Sequence, residues 1–206
     1  MTKRLFGYTA LFLVAFPYVS SAGVLSTEHV QSYPADWPSL IGMSETCAEV
    51  QGTYLDPNEM RWDQEEANGS KHGGRLWAAW AVFGFPPDQV AAGHKIKSRT
   101  FSIAQLPDQS LVVDYLIDSK VVASKSFPKD KLSCGPNGLT ITVGEKTGEV
   151  LDKFPNTGRS VHRSTVYWVN GELVVMSVYD TKARIFAVLP QNHLSTFWFR
   201  FAGPQK

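Results

Sequence analysis

The second half of the chain limits its fold most strongly. From residue 99 onward, runs rich in β-branched and aromatic residues recur at short intervals, each bounded by turn-forming residues. The pattern predicts strands at about 99–106, 110–118, 120–127, 138–143, 163–169, 172–180, 183–189 and 195–201, after a short first strand at Gly52-Thr53-Tyr54-Leu55. Turns fall at Pro107-Asp108-Gln109, Asp118-Ser119 and Asn170-Gly171. The last is the sharpest signal, because Asn-Gly readily takes the positive φ angles of a type I′ hairpin. Connections this short join antiparallel neighbours, since a parallel pair needs a crossover of a dozen or more residues. The expectation is a mainly-β antiparallel meander of eight or nine strands. Curving such a sheet onto itself hides its edges, so a barrel-like or strongly curved sheet is expected, with an open or sandwiched sheet as the alternative.

Alternation shows which faces are apolar. The last strand sets Phe197, Phe199 and Phe201 on one face, with Thr196, Trp198 and Arg200 on the other. In 172–180, Val174, Met176 and Val178 share one face, and Leu173, Val175, Ser177 and Tyr179 the other. That strand is apolar on both sides, so neither side is simply wet. One helix is expected, Arg75-Leu76-Trp77-Ala78-Ala79-Trp80-Ala81-Val82-Phe83, stopped by Gly84-Phe85-Pro86-Pro87. Leu76, Trp80 and Phe83 make its apolar face, widened by Trp77 and Ala81. Such a short helix needs cover, so it packs on the sheet or plugs it. Residues 59–74 read as a polar loop, and Gly144 to Arg163 as a longer connection.

The N-terminus reads as an address. Lys3 and Arg4 precede an apolar run from Leu5 to Phe16; Pro17 breaks it, and Ser20-Ser21-Ala22 suits a signal peptidase. The run is shorter than the roughly 20 residues that a membrane span requires. The expected division is a signal peptide over 1–22, a loosely ordered segment over 23–46 and a single β-rich domain over 47–206. Loss of Lys3 and Arg4 turns the formal charge from +1 to −1. Neither value supplies the basic field that nucleic acid requires. Export, to the periplasm or beyond, meets an oxidising compartment, where Cys47 and Cys134 are expected to form a disulfide. Free thiols or a reactive nucleophile are the alternatives.

Chemical signals are sparse. The five histidines, His29, His72, His94, His162 and His193, fall in expected loops or at strand edges, and none has a metal-type spacing to another His or Cys. Solvated or locally hydrogen-bonded imidazoles are expected. The acidic stretch Asp56, Asn58, Glu59, Asp63, Glu65 and Glu66 lacks the glycine and spacing of a calcium loop and reads as solvated. Asp114 stands alone in an apolar strand, and no phosphate-binding, dinucleotide-binding or nucleophile-elbow motif occurs. No catalytic residue, metal ligand or cofactor site is assigned.

Cys47-Ala48-Glu49-Val50-Gln51-Gly52-Thr53-Tyr54, a Leu/Trp-rich helix, a meander and a closing Phe197-Trp198-Phe199-Arg200-Phe201 together resemble a group of small exported bacterial proteins and lipoproteins. The chain is similar also to lipocalins, in a calycin-like way: Gly52-Thr53-Tyr54 matches their Gly-x-Trp strand with Tyr for Trp, and Arg200 matches the Arg packed across that aromatic. The resemblance implies a calyx. The leading expectation is non-catalytic binding of a small apolar ligand or lipid inside the sheet by a monomeric or weakly associating protein. Trp77, Trp80, Val174, Met176, Phe197 and Phe199 are the candidate contacts, and core packing is the ordinary role of each. A structural or interaction module of the cell envelope, with an exposed patch at Trp77, Trp80 and Phe83, is the second reading. An enzyme is the third.

Overall fold

A computed structural model describes residues 25–40, 47–56, 60–65, 71–76, 78–85, 98–151 and 155–203; within 60–65 and 71–76 and at positions 25 and 80 only the backbone is described. Residues 1–22, expected to be a signal peptide, and Trp77 and His94 lie outside these residues. The elements are β1 (Leu25–Val30), β2 (Gly52–Leu55), β3 (Met60–Glu65), β4 (Lys71–Leu76), α1 (Ala78–Phe83), β5 (Arg99–Gln105), β6 (Leu111–Ile117), β7 (Lys120–Phe127), β8 (Leu132–Gly135), β9 (Gly138–Gly148), β10 (Asn156–Val169), β11 (Glu172–Ile185) and β12 (Leu189–Phe201). One sheet has the order β2-β5-β6-β7, a second β1-β12-β11-β10-β9-β8, and β3 pairs only with β4. Every pair is antiparallel except β1 with β12. The mainly-β meander is therefore present as two ladders. The described strands form no closed barrel.

Where the structure departs from the sequence pattern, the cause is local. Residues 183–189 are not a separate strand. They are the end of β11, a turn, and the start of β12, and Phe186 and Ala187 make that turn at φ 50° and 62°. Nothing about Phe-Ala signals such a turn. An L-residue in this region costs about 1 kcal/mol or more, which is why Gly and Asn usually occupy it. The connection expected over 144–163 is mostly strand, for β9 runs to Gly148 and β10 begins at Asn156. Its residues are polar, so alternation is silent there, and cross-strand pairing holds it, with Arg159 Nε donating to Glu145 Oε1 at 2.7 Å. The polar loop over 59–74 contains the β3–β4 hairpin, and the segment over 23–46 contains β1.

Both sheets contribute to one apolar cluster. Phe101, Ile103, Val113 and Tyr115 come from the first sheet, and Ile141, Val166, Leu173, Val175, Phe199 and Phe201 from the second. Helix α1 belongs to the same cluster: Ala78, Ala79, Ala81, Val82 and Phe83 are all fully buried. The helix has no solvent-facing side among its described side chains, which is why small alanines alternate with larger residues along it.

The outer face of the second sheet has its own cover. Val174, Trp198 and Val169 form a second cluster with Tyr33, Trp37, Tyr167 and Met176. Trp198 Nε1 donates to the Gln31 carbonyl at 3.1 Å, and the Tyr33 and Trp198 rings meet edge to face at 4.9 Å. The two apolar faces of β11 thus have two different covers, α1 with the first sheet inside and residues 31–37 outside.

The Cys47–Cys134 disulfide ties the turn before β2 to β8 across a sequence separation of 87. Elsewhere, Leu55 N donates to the Ala202 carbonyl at 3.2 Å and links the ends of β2 and β12. A cross-link closing so long a loop restricts the unfolded chain strongly. Replacing both cysteines by alanine is expected to lower stability by about 4 kcal/mol in urea denaturation; a loss under about 1 kcal/mol would show that the bridge does not constrain the unfolded state.

Candidate functional site

Two places concentrate polar groups against apolar surroundings: the ends of α1, and a cleft at the disulfide. The helix comes first, because it decides what the interior can hold. An isolated helix this short leaves most of its backbone polar groups unpaired, at a cost if they are buried. Asp56, directly after β2, serves the N-terminal end. Its Oδ1 accepts from Ala79 N at 3.4 Å, and its Oδ2 accepts from the Tyr115 hydroxyl at 2.7 Å. At the carbonyl end, Ser164 Oγ donates to Val82 O at 2.6 Å and the Tyr179 hydroxyl to Ala81 O at 2.9 Å. Lys125 Nζ donates to both Gly84 O and Val143 O at 3.2 Å.

Burial tunes these groups. It pushes the Asp56 carboxyl up to about 6, against the lowering effects of the Tyr115 hydroxyl, the Ala79 amide and the Arg99 charge. Burial raises Tyr115 as well, reinforced by the Asp56 charge, and lowers the Lys125 ammonium. His162 lies within β10, stacked on Tyr179 with ring centroids 4.1 Å apart, and its Nε2 meets Ser177 Oγ at 2.8 Å. Burial first, and the Lys125 charge second, bring its pKa down to about 4. A Ser–His contact is the beginning of a nucleophile and base pair. Here Ser177 is fully buried and Ser164, 3.4 Å away, is committed to the helix. The cluster brackets α1. His162, expected at a strand edge, is thus a half-buried residue within β10, and Asp56, expected in a solvated loop, is a buried acceptor.

The cleft, of about 570 Å³, opens where the β5–β6 turn, the segment before β2 and the β7–β8 connection converge. Leu106, Leu111, Leu132, Leu139 and the Cys47–Cys134 bridge supply its apolar lining, and Gln51, Gln105, Gln109 and Lys129 its polar groups. The β5–β6 lip is shaped locally: Asp108 Oδ1 accepts from Ser110 N at 2.9 Å and Ser110 Oγ at 2.6 Å, and Gln109 adopts φ 67°. Opposite, Gln51 Oε1 accepts from Gln105 N at 3.5 Å, joining the two walls. The arrangement can enclose a molecule with an apolar body and a hydrogen-bonding or anionic end.

Of the six contacts expected from sequence, the four described ones, Val174, Met176, Phe197 and Phe199, do not line this cleft. Val174 and Met176 face the outer cluster under Tyr33 and Trp37, while Phe199 and Phe197 pack in or against the inner one. Trp77 lies outside the described residues, and the Trp80 side chain is not described. Phe83, part of the surface patch expected for an interaction module, is fully buried. The only advance sign of the cleft was the cysteine pair, which brings residues 47 and 134 together. Among the described residues no group of three or more His, Cys, Asp or Glu is placed to hold a metal ion. None of their helices is long and apolar enough to cross a membrane. No protein-family model, curated protein or solved structure matches the chain.

The helix bracket has a pH signature. Folding raises the Asp56 pKa from 3.8 to about 6, so its favourable contribution is complete at low pH and fades as pH rises between those values. Folding lowers the His162 pKa from 6.5 to about 4, so its contribution is complete above 6.5 and fades as pH falls toward 4. The two oppose each other in one window. Asp56→Asn removes the first, so the variant's stability is expected to fall by about 2 to 3 kcal/mol between pH 6.5 and 4, more steeply than the parent's. Urea titrations across that range check this; parallel curves for parent and variant would mean that Asp56 does not titrate there.

Proposed function

We propose that the protein is a non-catalytic binding protein, exported to the periplasm or beyond, that takes up a small, largely apolar molecule with a hydrogen-bonding or anionic end. The cleft at the disulfide carries this reading. Its volume of about 570 Å³ lies in the range of small-molecule sites, and its leucines and few polar groups have the usual division between binding and orientation. We read the two sheets as walls of a barrel-like enclosure, linked along the β2 edge by the Leu55–Ala202 bond at the end of that strand and by the disulfide before its start. The interior of that enclosure is taken by α1 and aromatic side chains. The ligand therefore sits at the mouth, beside the bridge, and not among Val174, Met176, Phe197 and Phe199. The likeness to lipocalins supports a binding role of this kind. The disulfide supports an oxidising compartment.

Anilinonaphthalene sulfonate, an apolar fluorophore with one anionic group, matches the chemistry of the cleft. The oxidised protein is expected to bind it saturably at a single site. Leu106→Asp, on the half-exposed lip, is expected to weaken that binding at least about tenfold without a change in thermal unfolding, since it removes an apolar contact and sets a like charge beside the anion at a position that contributes little to the core. Native mass spectrometry of the purified protein reports any molecule that stays bound. Binding that is non-saturable, or equal in parent and variant, would exclude the cleft as the site.

A further inference from the structure

Three hairpin turns place two consecutive residues at positive φ: Asp118-Ser119, Asn170-Gly171 and Phe186-Ala187. The first two are built from polar or glycine residues, in keeping with what the geometry favours. The third, between β11 and β12, carries a phenylalanine. Residues held against their local preference cluster where function requires them. What this turn displays is apolar surface. Phe186 is 62% and Val188 76% exposed, the most exposed large hydrophobics among the described residues.

The turn stands at the far end of the longest strands. β10, β11 and β12 have 14, 14 and 13 residues, against 7, 7 and 8 for β5, β6 and β7. At roughly 3.4 Å per residue the second sheet extends well beyond the first. The members of the shared core from these strands, such as Val166, Leu173, Val175 and Phe201, come from the end beside Asn170-Gly171. The opposite end, with Phe186 at its tip, lies away from that core.

Cations flank the tip. Cross-strand register aligns Thr157, Arg184 and Pro190 in one row and Arg159, Lys182 and Asn192 in the next, on one face. Lys182 and Arg184 are exposed, and they line a hollow of about 340 Å³ with no carboxylate among its described lining residues. Of the nearby acids among the described residues, Glu145 is held by Arg159, Asp180 lies farther from the tip along β11, and Glu149 stands in the neighbouring β9–β10 connection, whose Asp152 lies outside the described residues.

We propose that the β11–β12 hairpin docks the protein on an anionic phospholipid surface. Phe186 and Val188 enter the boundary between headgroups and acyl chains, and Lys182 and Arg184 meet the phosphates. An exposed apolar tip with two cations on one face beside it suits a fluid bilayer, which needs no preformed groove to receive it. The inference rests on the hairpin alone and is independent of the cleft.

Co-sedimentation with vesicles of phosphatidylcholine, with and without phosphatidylglycerol, tests it. The expected result is partitioning to the anionic vesicles at least about tenfold stronger than to neutral ones, weakening as salt rises. The variant Phe186→Asn/Ala187→Gly supplies the residues that the turn prefers. It is expected to lose about tenfold in partitioning while still unfolding cooperatively. Lys182→Gln/Arg184→Gln, which leaves the turn intact, is expected to lose about 25-fold, about fivefold for each cation. Absence of a preference for anionic vesicles would overturn the proposal, as would a tip variant that partitions like the parent. Vesicles ignored while a purified protein partner binds the tip would overturn it too, and would make the hairpin a protein-docking element.

Discussion

The hydrogen bonds that satisfy the ends of α1 hold the rest of the fold in relation. Six residues cannot form a stable helix in water, because nucleation costs more than so few internal bonds return. The helix exists because its neighbours complete it. Asp56 and Tyr115 serve its N-terminal end, and Ser164, Tyr179 and Lys125 its carbonyl end. These five residues belong to both sheets or lie beside their strands. Neither sheet alone can bury the helix without leaving polar groups unpaired, so the two close on it together.

This constraint explains the unusual protonation of the groups packed around the helix. Asp56 is held near a pKa of about 6 and His162 near about 4, both chiefly by burial. Perturbed groups of this kind often mark active sites. Here each has a structural partner, the hydroxyl of Tyr115 in one case and of Ser177 in the other. With the interior occupied, space for a ligand remains at the margin, where the disulfide holds a mouth between Gln51, the β5–β6 turn and β8.

The legible part of the fold was the part whose alternation is set by burial. β5, β6 and β7 fall within about a residue of their expected bounds, because Phe101, Ile103, Val113 and Tyr115 alternate cleanly inward. The outer half of β9–β10 was not legible, because a solvated ladder of Glu145, Lys146, Arg159 and Ser160 carries no apolar period. The turn at Phe186-Ala187 broke the usual residue preference and so left no signal. The cleft was hidden for a different reason. Val174 and Met176 face away from Phe197 and Phe199 because the register pairs Val174 with Arg200 and Met176 with Trp198, and pairing register across two strands is not written in either strand alone. The cleft gathers residues from positions 47–51, 105–111 and 129–139, segments that only the disulfide hinted would meet.

Native-state hydrogen exchange at the amides of Ala81, Val82 and Phe83 tests most directly whether the two sheets depend on the enclosed helix. If they do, these amides exchange only through global unfolding, with the same protection and denaturant dependence as the central amides of β10 and β11. Exchange of the helix through a separate opening of much lower free energy, with β10 and β11 still protected, would show that the sheets stand without it and would contradict the account.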